Sequence, residues 1–225
     1  MYDGWILRFG NGVTRRANSI VPIYESTKEV EAKIEFCERL YADHKLPTIF
    51  KITSASTPAN IDKVLEEKGY AIDAETSFQT INLYAEFVID SSCEISIDSS
   101  YSDYWLQCYM DFNNHDKDKF DIYKMLLEQI RTEKGLLLLR NNGKTVGCGL
   151  GVLEGEFVGL FDIVVSPEER GKGFGKAVVE SLLNWGKREG ATTGYLQVML
   201  NNTPAINLYE KIGFREAYRY WYRRR

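Results

Sequence analysis

Between an apolar run at residues 157–165 and an amphipathic pattern at 174–188 lies the turn Arg170-Gly171-Lys172-Gly173-Phe174-Gly175-Lys176, the stretch that most constrains the fold. Its glycines let the backbone reverse and approach a ligand with no Cβ in the way. A helix starting directly behind them adds unsatisfied N–H groups and the positive end of its dipole. Arg170, Lys172 and Lys176 supply positive charge, so the turn suits an anionic diphosphate. Two other nucleotide-binding turns do not fit. A Rossmann turn follows the first strand of a βαβ unit and needs an acid on the next strand, whereas this one follows three apolar runs joined by tight turns, and 194–200 carries no acid. A Walker turn needs Gly-Lys followed by Ser or Thr, and here Gly175-Lys176 is followed by Ala177.

The surrounding pattern predicts alternating strands and helices. Residues 93–97 alternate as a half-buried strand does; 101–112 and 119–133 repeat apolar side chains at helical spacing, and Gly135 is read as the stop of the second helix. The continuous apolar run 136–139 suits a central strand, and Asn141-Asn142-Gly143-Lys144 a tight hairpin into 146–153. Glu154-Gly155-Glu156 turns the chain into 157–165, completing an antiparallel meander that enters the glycine turn. After the helix to 188 come a strand at 194–200, a helix opened by Pro204 and closed by Gly213, and an aromatic strand at 214–222. The predicted order is βααββββαβαβ in outline.

The first ninety residues echo the last part of this pattern. Shifted by 144 positions, Val64-Leu65-Glu66-Glu67-Lys68-Gly69-Tyr70 falls on Leu208-Tyr209-Glu210-Lys211-Ile212-Gly213-Phe214, and helical 30–41, strand-like 48–53 and strand-like 78–83 follow the same order. We expect a decayed internal repeat: residues 1–90 a degenerate half without coenzyme binding, residues 91–225 the intact domain. The segment 21–27, expected where the glycine turn would lie, has no glycine and brings Glu25 to the phosphate position, and Leu65 stands where the second half has Tyr209. Arg15, Arg16 and Asn18 are either groups facing an acceptor entrance or solvent-exposed edge residues.

Composition sets the outer limits. With 44% hydrophobic, 13% aromatic and 27% charged residues in 225, the chain has the make-up of a folded globular protein. A net charge of −4 argues against a nucleic-acid partner, and the basic tail Arg223-Arg224-Arg225 reads as a solvated terminus. The cysteines at 37, 93, 108 and 148 show no CxxC spacing, so buried free thiols and no metal are expected. No apolar run reaches the ~20 residues that span a bilayer, and the first residues lack a signal-peptide layout. The expectation is a cytoplasmic protein without a membrane partner, monomeric or homodimeric.

The stretch VSPEERGKGFGKAVVESLL resembles the acetyl-coenzyme A signature of the GNAT superfamily of N-acetyltransferases, with Arg170, Gly173 and Gly175 at its Arg-x-x-Gly-x-Gly positions. NNTPAINLYEKIGF, residues 201–214, resembles the second signature of that family at the expected distance, and the resemblance covers residues 93–225. It implies an α/β (α+β) fold with a mixed, mostly antiparallel twisted sheet flanked by helices, and acetyl-coenzyme A as cosubstrate. It implies that Ile163, Val164 and Val165 offer backbone groups to the acetyl and pantetheine portion. By the same resemblance Arg170, Gly171, Lys172, Gly173, Phe174, Gly175 and Lys176 hold the pyrophosphate, Asn202 contacts the pantetheine arm, and Tyr209 protonates the departing thiolate. Read by themselves, Asn202 is equally a helix cap and Tyr209 equally a half-buried core residue.

The acceptor is expected to be a primary amine on a small molecule or peptide, attacking directly in a ternary complex. A base must then take its proton. Asp162, Glu156, His115, Asp111 and Asp116 are the candidates. Period-two counting puts Asp162 on the face opposite Phe161, Ile163 and Val165. The alternative reading is a non-catalytic acyl-coenzyme A sensor, with a coenzyme turn but no productive acceptor site.

Overall fold

The computed structural model describes residues 1–84, 86–89 and 93–225. In chain order its elements are β1 (Trp5–Leu7), β2 (Ile20–Pro22), α1 (Val30–Asp43), β3 (Ile49–Thr53), α2 (Ile61–Glu67), β4 (Ala71–Asn82), β5 (Glu94–Asp98), α3 (Asp103–Phe112), α4 (Phe120–Glu128), β6 (Lys134–Asn141), β7 (Lys144–Glu154), β8 (Phe157–Val165), α5 (Phe174–Arg188), β9 (Thr193–Met199), α6 (Thr203–Ile212) and β10 (Arg215–Arg224). Two compact units result, one of Met1–Ser77 with Tyr218–Arg225, the other of Phe78–Ala217, so the divisions fall inside β4 and β10. The boundary expected between residues 90 and 91 lies outside the described residues.

In the second unit the strands run in the order β4-β9-β8-β7-β6-β5. β5, β6, β7 and β8 pair antiparallel with their neighbours, and β8 pairs parallel with β9. The run 136–139 is buried on both faces: Leu137 and Leu139 join the core under α5, while Leu136 and Leu138 join the core under α3 and α4. That is why this strand is continuously apolar rather than alternating. The Trp105 indole N–H donates to the Leu137 carbonyl at 2.9 Å, fixing α3 on β6. The hairpin between β6 and β7 puts Asn142 and Gly143 at φ 51° and 74°, the left-handed pair its sequence calls for.

Two expectations need correction here. The second helix of the pair ends at Glu128 rather than 133. Gly135 is no helix stop but a buried strand residue, since a Cβ there would lie 2.8 Å from Ile97 and 3.0 Å from the Trp185 ring. Close approach of α5 to the sheet, and not turn formation, requires that glycine.

In the first unit β1 pairs antiparallel with β2, β2 parallel with β3, and β3 antiparallel with Tyr220–Arg224 of β10. Its core gathers Trp5, Ile20, Ile34, Phe50, Leu65 and Tyr70. Arg223, expected in solvent, is buried instead, with Nε 2.8 Å from Asp62 and Nη1 donating to the Tyr70 carbonyl at 3.0 Å. A buried guanidinium needs such a carboxylate partner, and Asp62 on α2 provides it. The elements of the two units also correspond in position: α1 and α5, β3 and β9, and β4 and β10 begin at residues 30 and 174, 49 and 193, and 71 and 215, a spacing of 144 each time.

Candidate active site

The glycine turn is built from both sides. Pro167–Glu169 form a single 3-10 turn, and the Ser166 amide donates to the Val146 carbonyl at 2.9 Å, so the end of β8 is tied to β7 before the chain reverses. Gly171 and Gly173 adopt φ of 78° and 90°, and a Cβ at either would meet nothing within 4 Å. Conformation, not crowding, demands glycine at these two positions, and the space above them is open. No side chain caps the N-terminus of α5, which leaves its first amides for an anion. Gly175 answers a different need, because a Cβ there would sit 3.3 Å from Leu208 of α6.

The cations of the turn are not equivalent. Lys172 lies 2.9 Å from Glu169 and Lys176 3.4 Å from Glu180, the lysines largely exposed and the Glu180 carboxylate buried. Arg170 instead bridges backbone: Nε donates to the Val165 carbonyl at 3.2 Å and Nη2 to the Phe112 carbonyl at 3.3 Å, joining the ends of β8 and α3.

Beside the turn the sheet opens. Paired residues of β8 and β9 run from Phe157 with Thr193 to Leu160 with Leu196, and among the described residues no pair follows. Ile163, Val164 and Val165 lie past that point on β8, beyond the last residue paired with β9 and just before the glycine turn. Asn202 caps α6, its Oδ1 accepting from the Ala205 amide at 3.3 Å. Tyr209, on the buried side of α6, packs edge-on against Phe214 at 5.8 Å between ring centroids. Burial pushes its phenol up to about 12, so it keeps its proton near neutral pH.

On the α3 and α4 side β8 carries a bulge. Phe161 pairs with Leu150 and Val164 with Cys148, which leaves Gly149 opposite both Asp162 and Ile163. Asp162 takes the extra position at φ 52°. Alternation fails here, correcting the period-two count: Ile163 packs with the α5 core while Phe161 packs with the α3 and α4 core. Asp162 accepts a hydrogen bond from the Tyr109 hydroxyl, and burial together with the Asp162 charge raises the Tyr109 phenol far above its ordinary value. Around them Tyr109, His115 and Tyr123 form a cluster with centroid separations of 5.4, 5.2 and 5.8 Å. Burial, then Lys119, lowers the His115 pKa, which keeps its ring neutral near neutral pH.

Among the other base candidates, Glu156 sits at the opposite end of β8, beside Thr192 at 3.3 Å. Asp111 accepts from Gln107 at 2.8 Å and Asp116 caps a short turn through the Asp118 amide at 3.1 Å. Tyr109 and Tyr123 were hidden in the sequence because they fall on the apolar faces of α3 and α4; a tyrosine where a leucine would serve is the signal that could have found them. Of the polar residues singled out in the first unit, Asn18 is buried, with Oδ1 accepting from the Gly10 and Gly12 amides at 2.8 and 2.9 Å, so it organises its own loop instead of facing an acceptor. Arg15 pairs with Asp73 at 2.6 Å. Among the described residues no group of His, Cys, Asp or Glu is placed to hold a metal ion, and no helix is long and apolar enough to cross a membrane.

Known proteins match this arrangement. Residues 1–223 match the family described as "Probable histone acetyltransferase Rv0428c C-terminal". The uncharacterized N-acetyltransferase YobR of Bacillus subtilis is 30% identical over 227 residues, covering 97% of this chain and 89% of that protein. A ribosomal protein bS18-alanine N-acetyltransferase of Escherichia coli is 35% identical over 79 residues, 35% of this chain and 53% of that protein. Among solved structures, a GCN5-related N-acetyltransferase from Kribbella flavida superposes with a TM-score of 0.68 at 14% identity, over 92% of this chain and 81% of that one. A tandem GNAT protein from the clavulanic acid biosynthesis pathway gives 0.70 at 10% identity, over 87% of this chain and 69% of that one. The chain belongs to the Rv0428c C-terminal family and, with it, to the GNAT N-acetyltransferases: it is an acyltransferase of mixed, mostly antiparallel α/β fold.

Proposed function

We propose that the chain transfers an acetyl group from acetyl-coenzyme A to a primary amine by direct attack within a ternary complex. The observation that carries this reading is that β8 runs on past its last residue paired with β9 and into the open turn of Gly171 and Gly173. A thioester arm laid along that stretch pairs with Ile163, Val164 and Val165, and its diphosphate reaches the uncapped amides of α5. Lys172 and Lys176 add charge, Phe174 and Gly175 open the helix, and Arg170 and Gly171 shape the turn. Asn202 lies at the start of α6 and contacts the arm there.

In this reading Asp162 is the base. The amine nitrogen forms its bond to the acetyl carbon as the carbon–sulfur bond breaks. The arriving ammonium gives one proton to the Asp162 carboxylate before it attacks, the sulfur takes the Tyr209 proton, and the second proton lost by nitrogen restores the phenol, giving an amide and the free thiol. The bulge favours Asp162 over the other acids because its carboxylate meets the Tyr109 hydroxyl and acts on Tyr123, one residue from the strand segment assigned to the thioester. Aromatic faces beside a carboxylate suit an amine that arrives as a cation on a small molecule or peptide.

Thiol release measured with polyamines, amino acids, aminoglycosides, and peptides with free N-termini or lysines tests the proposal. Turnover with at least one class is expected, falling about 10²-fold or more in Asp162→Asn. Coenzyme binding without thiol release from any class would make the protein a binding module, and unchanged turnover in Asp162→Asn would remove Asp162 as base.

A further inference from the structure

The first unit carries a group of cations that acetyl transfer leaves unused. Phe50 and Ile52 of β3 turn to the core under α1, so alternation turns Lys51 to the other face of the sheet, where Ile49, Tyr220 and Tyr222 pack together. Register sets Lys51 opposite Tyr222, and its Nζ stands 3.9 Å from the centre of the Tyr220 ring. That ring face is what meets the charge. Among the described residues the ammonium has no hydrogen bond and no carboxylate partner, although Lys51 is half-buried. Burial first, then the charges of Arg8 and Arg16, bring its pKa down to about 8.

The arginines are presented by the loop between β1 and β2. Asn18, which accepts from two amides of that loop, also donates to the Gly10 and Thr14 carbonyls at 3.3 and 2.7 Å, and Arg8 Nη1 donates to the Arg16 carbonyl at 3.4 Å. Burial raises the Tyr222 phenol, and Arg16 and Arg15 work against it, which puts both beside the residue opposite Lys51. Arg15 shows what this group accepts: its Nε and Nη2 donate to the two oxygens of Asp73 at 2.6 and 3.0 Å, a guanidinium fork on a carboxylate. Nothing comparable serves Lys51. A second donor on this face lacks an acceptor as well. Ser19 precedes Ile20, which joins the core under α1 and pairs with Phe50, so alternation puts Ser19 on the face of Lys51. Its hydroxyl is wholly buried and has no hydrogen bond among the described residues.

We propose that Lys51, with Arg8 and Arg16 at its rim, is a binding site for a small organic carboxylate. An ammonium or hydroxyl buried without a partner costs stability, and here both stand within one residue of the same strand pair, so an acceptor from outside the chain answers both. A carboxylate is the chemistry the group already takes at Arg15. Bound beside Lys51 it supplies the missing counter-charge, and the lysine then keeps its proton to higher pH. The site stands on side chains of the first unit and not on acetyl transfer.

Acetate and succinate serve as probes in the full chain with isotope-labelled lysine, against chloride at matched ionic strength and inorganic phosphate as the competing anion. The Cε signal of Lys51, assigned by its loss in Lys51→Met, is followed across pH. The expected result is saturable movement of that signal with a carboxylate and a Lys51 pKa raised by roughly one unit, as an opposite charge at close range does. Arg16→Gln, at an exposed position, should keep the fold and weaken both effects. Lys51→Met should melt no lower than the unmodified chain in chloride, because it removes a charge that has no partner. A signal that stays still with both carboxylates, or moves as much in chloride, would overturn the proposal. Movement with phosphate alone would overturn the ligand class, and a Lys51→Met protein that melts far lower or fails to fold in chloride would make the lysine a structural residue. Coenzyme binding and turnover are read separately, so an error in the transferase reading leaves this result standing.

Discussion

Two turns of this molecule start from the same place and reach opposite ends. Before α5 the chain has Gly171 and Gly173 in left-handed conformation, open space above them, and no side chain on the helix end. Before α1 it has Thr27, Lys28 and Glu29, and the corresponding amides already serve the Asp3 carboxylate. An anion site is therefore not made by a helix end alone. It also needs a backbone that clears the approach and a chain that does not supply its own anion, and only the second unit meets both conditions.

The most complete expected loss breaks the open turn. Gly173→Asp puts a strained left-handed aspartate and a negative charge against the diphosphate. It should abolish the stabilisation by coenzyme A, which at a hundredfold excess over Kd is about 2.7 kcal/mol for a ligand bound only by the folded state. Thermal melts with and without coenzyme A measure it, and a folded mutant with the full shift would refute the assignment of the turn.

Next in size comes a pair at matching positions, Tyr209 and Leu65. In the proposed role Tyr209 donates a proton chiefly in the transition state, so Tyr209→Phe should lower kcat on the order of 10²-fold with coenzyme affinity and folding nearly unchanged. Leu65→Ala should do the reverse: Leu65 is fully buried in the first unit, so stability drops by about 2–5 kcal/mol in denaturant melts while coenzyme affinity stays. Similar turnover in Tyr209→Phe and wild type would return this tyrosine to the core. Because its phenol is held up to about 12, it stays protonated as pH rises toward that value, and no falling limb of kcat from its ionisation is expected below about pH 10.

The smallest effect separates cap from ligand contact at Asn202. Losing the bond to the Ala205 amide costs about 1 kcal/mol of stability in Asn202→Ala. If Asn202 also touches the pantetheine arm, KM for the acetyl donor rises as well, and a stability loss alone would leave it a cap.

These positions also show what is readable without a structure. The glycine turn, the meander and the hairpin at Asn142 and Gly143 are written in local chemistry, where one backbone conformation selects one residue type, and there pattern and structure agree. The bulge at Asp162 leaves no such trace, because aspartate tolerates the left-handed region and the residue count of a strand does not reveal a slip in pairing. It changes the face of every residue after it, which is why period-two counting misassigned Phe161 and Ile163. Gly135 was misread for the opposite reason: its cause is the distant Trp185 ring, not its neighbours in sequence. Asp3 and Arg223 sit near the two ends of the chain and act through partners 24 and 161 residues away. Local pattern cannot carry such pairings.

Calorimetric titration of coenzyme A into the full chain tests the contrast between the two turns most directly. One site per chain is expected, lost in Gly173→Asp and unaffected by Asp3→Asn, as befits a single open anion turn. Two sites in the unmodified chain, or one that survives in a folded Gly173→Asp protein, would contradict it.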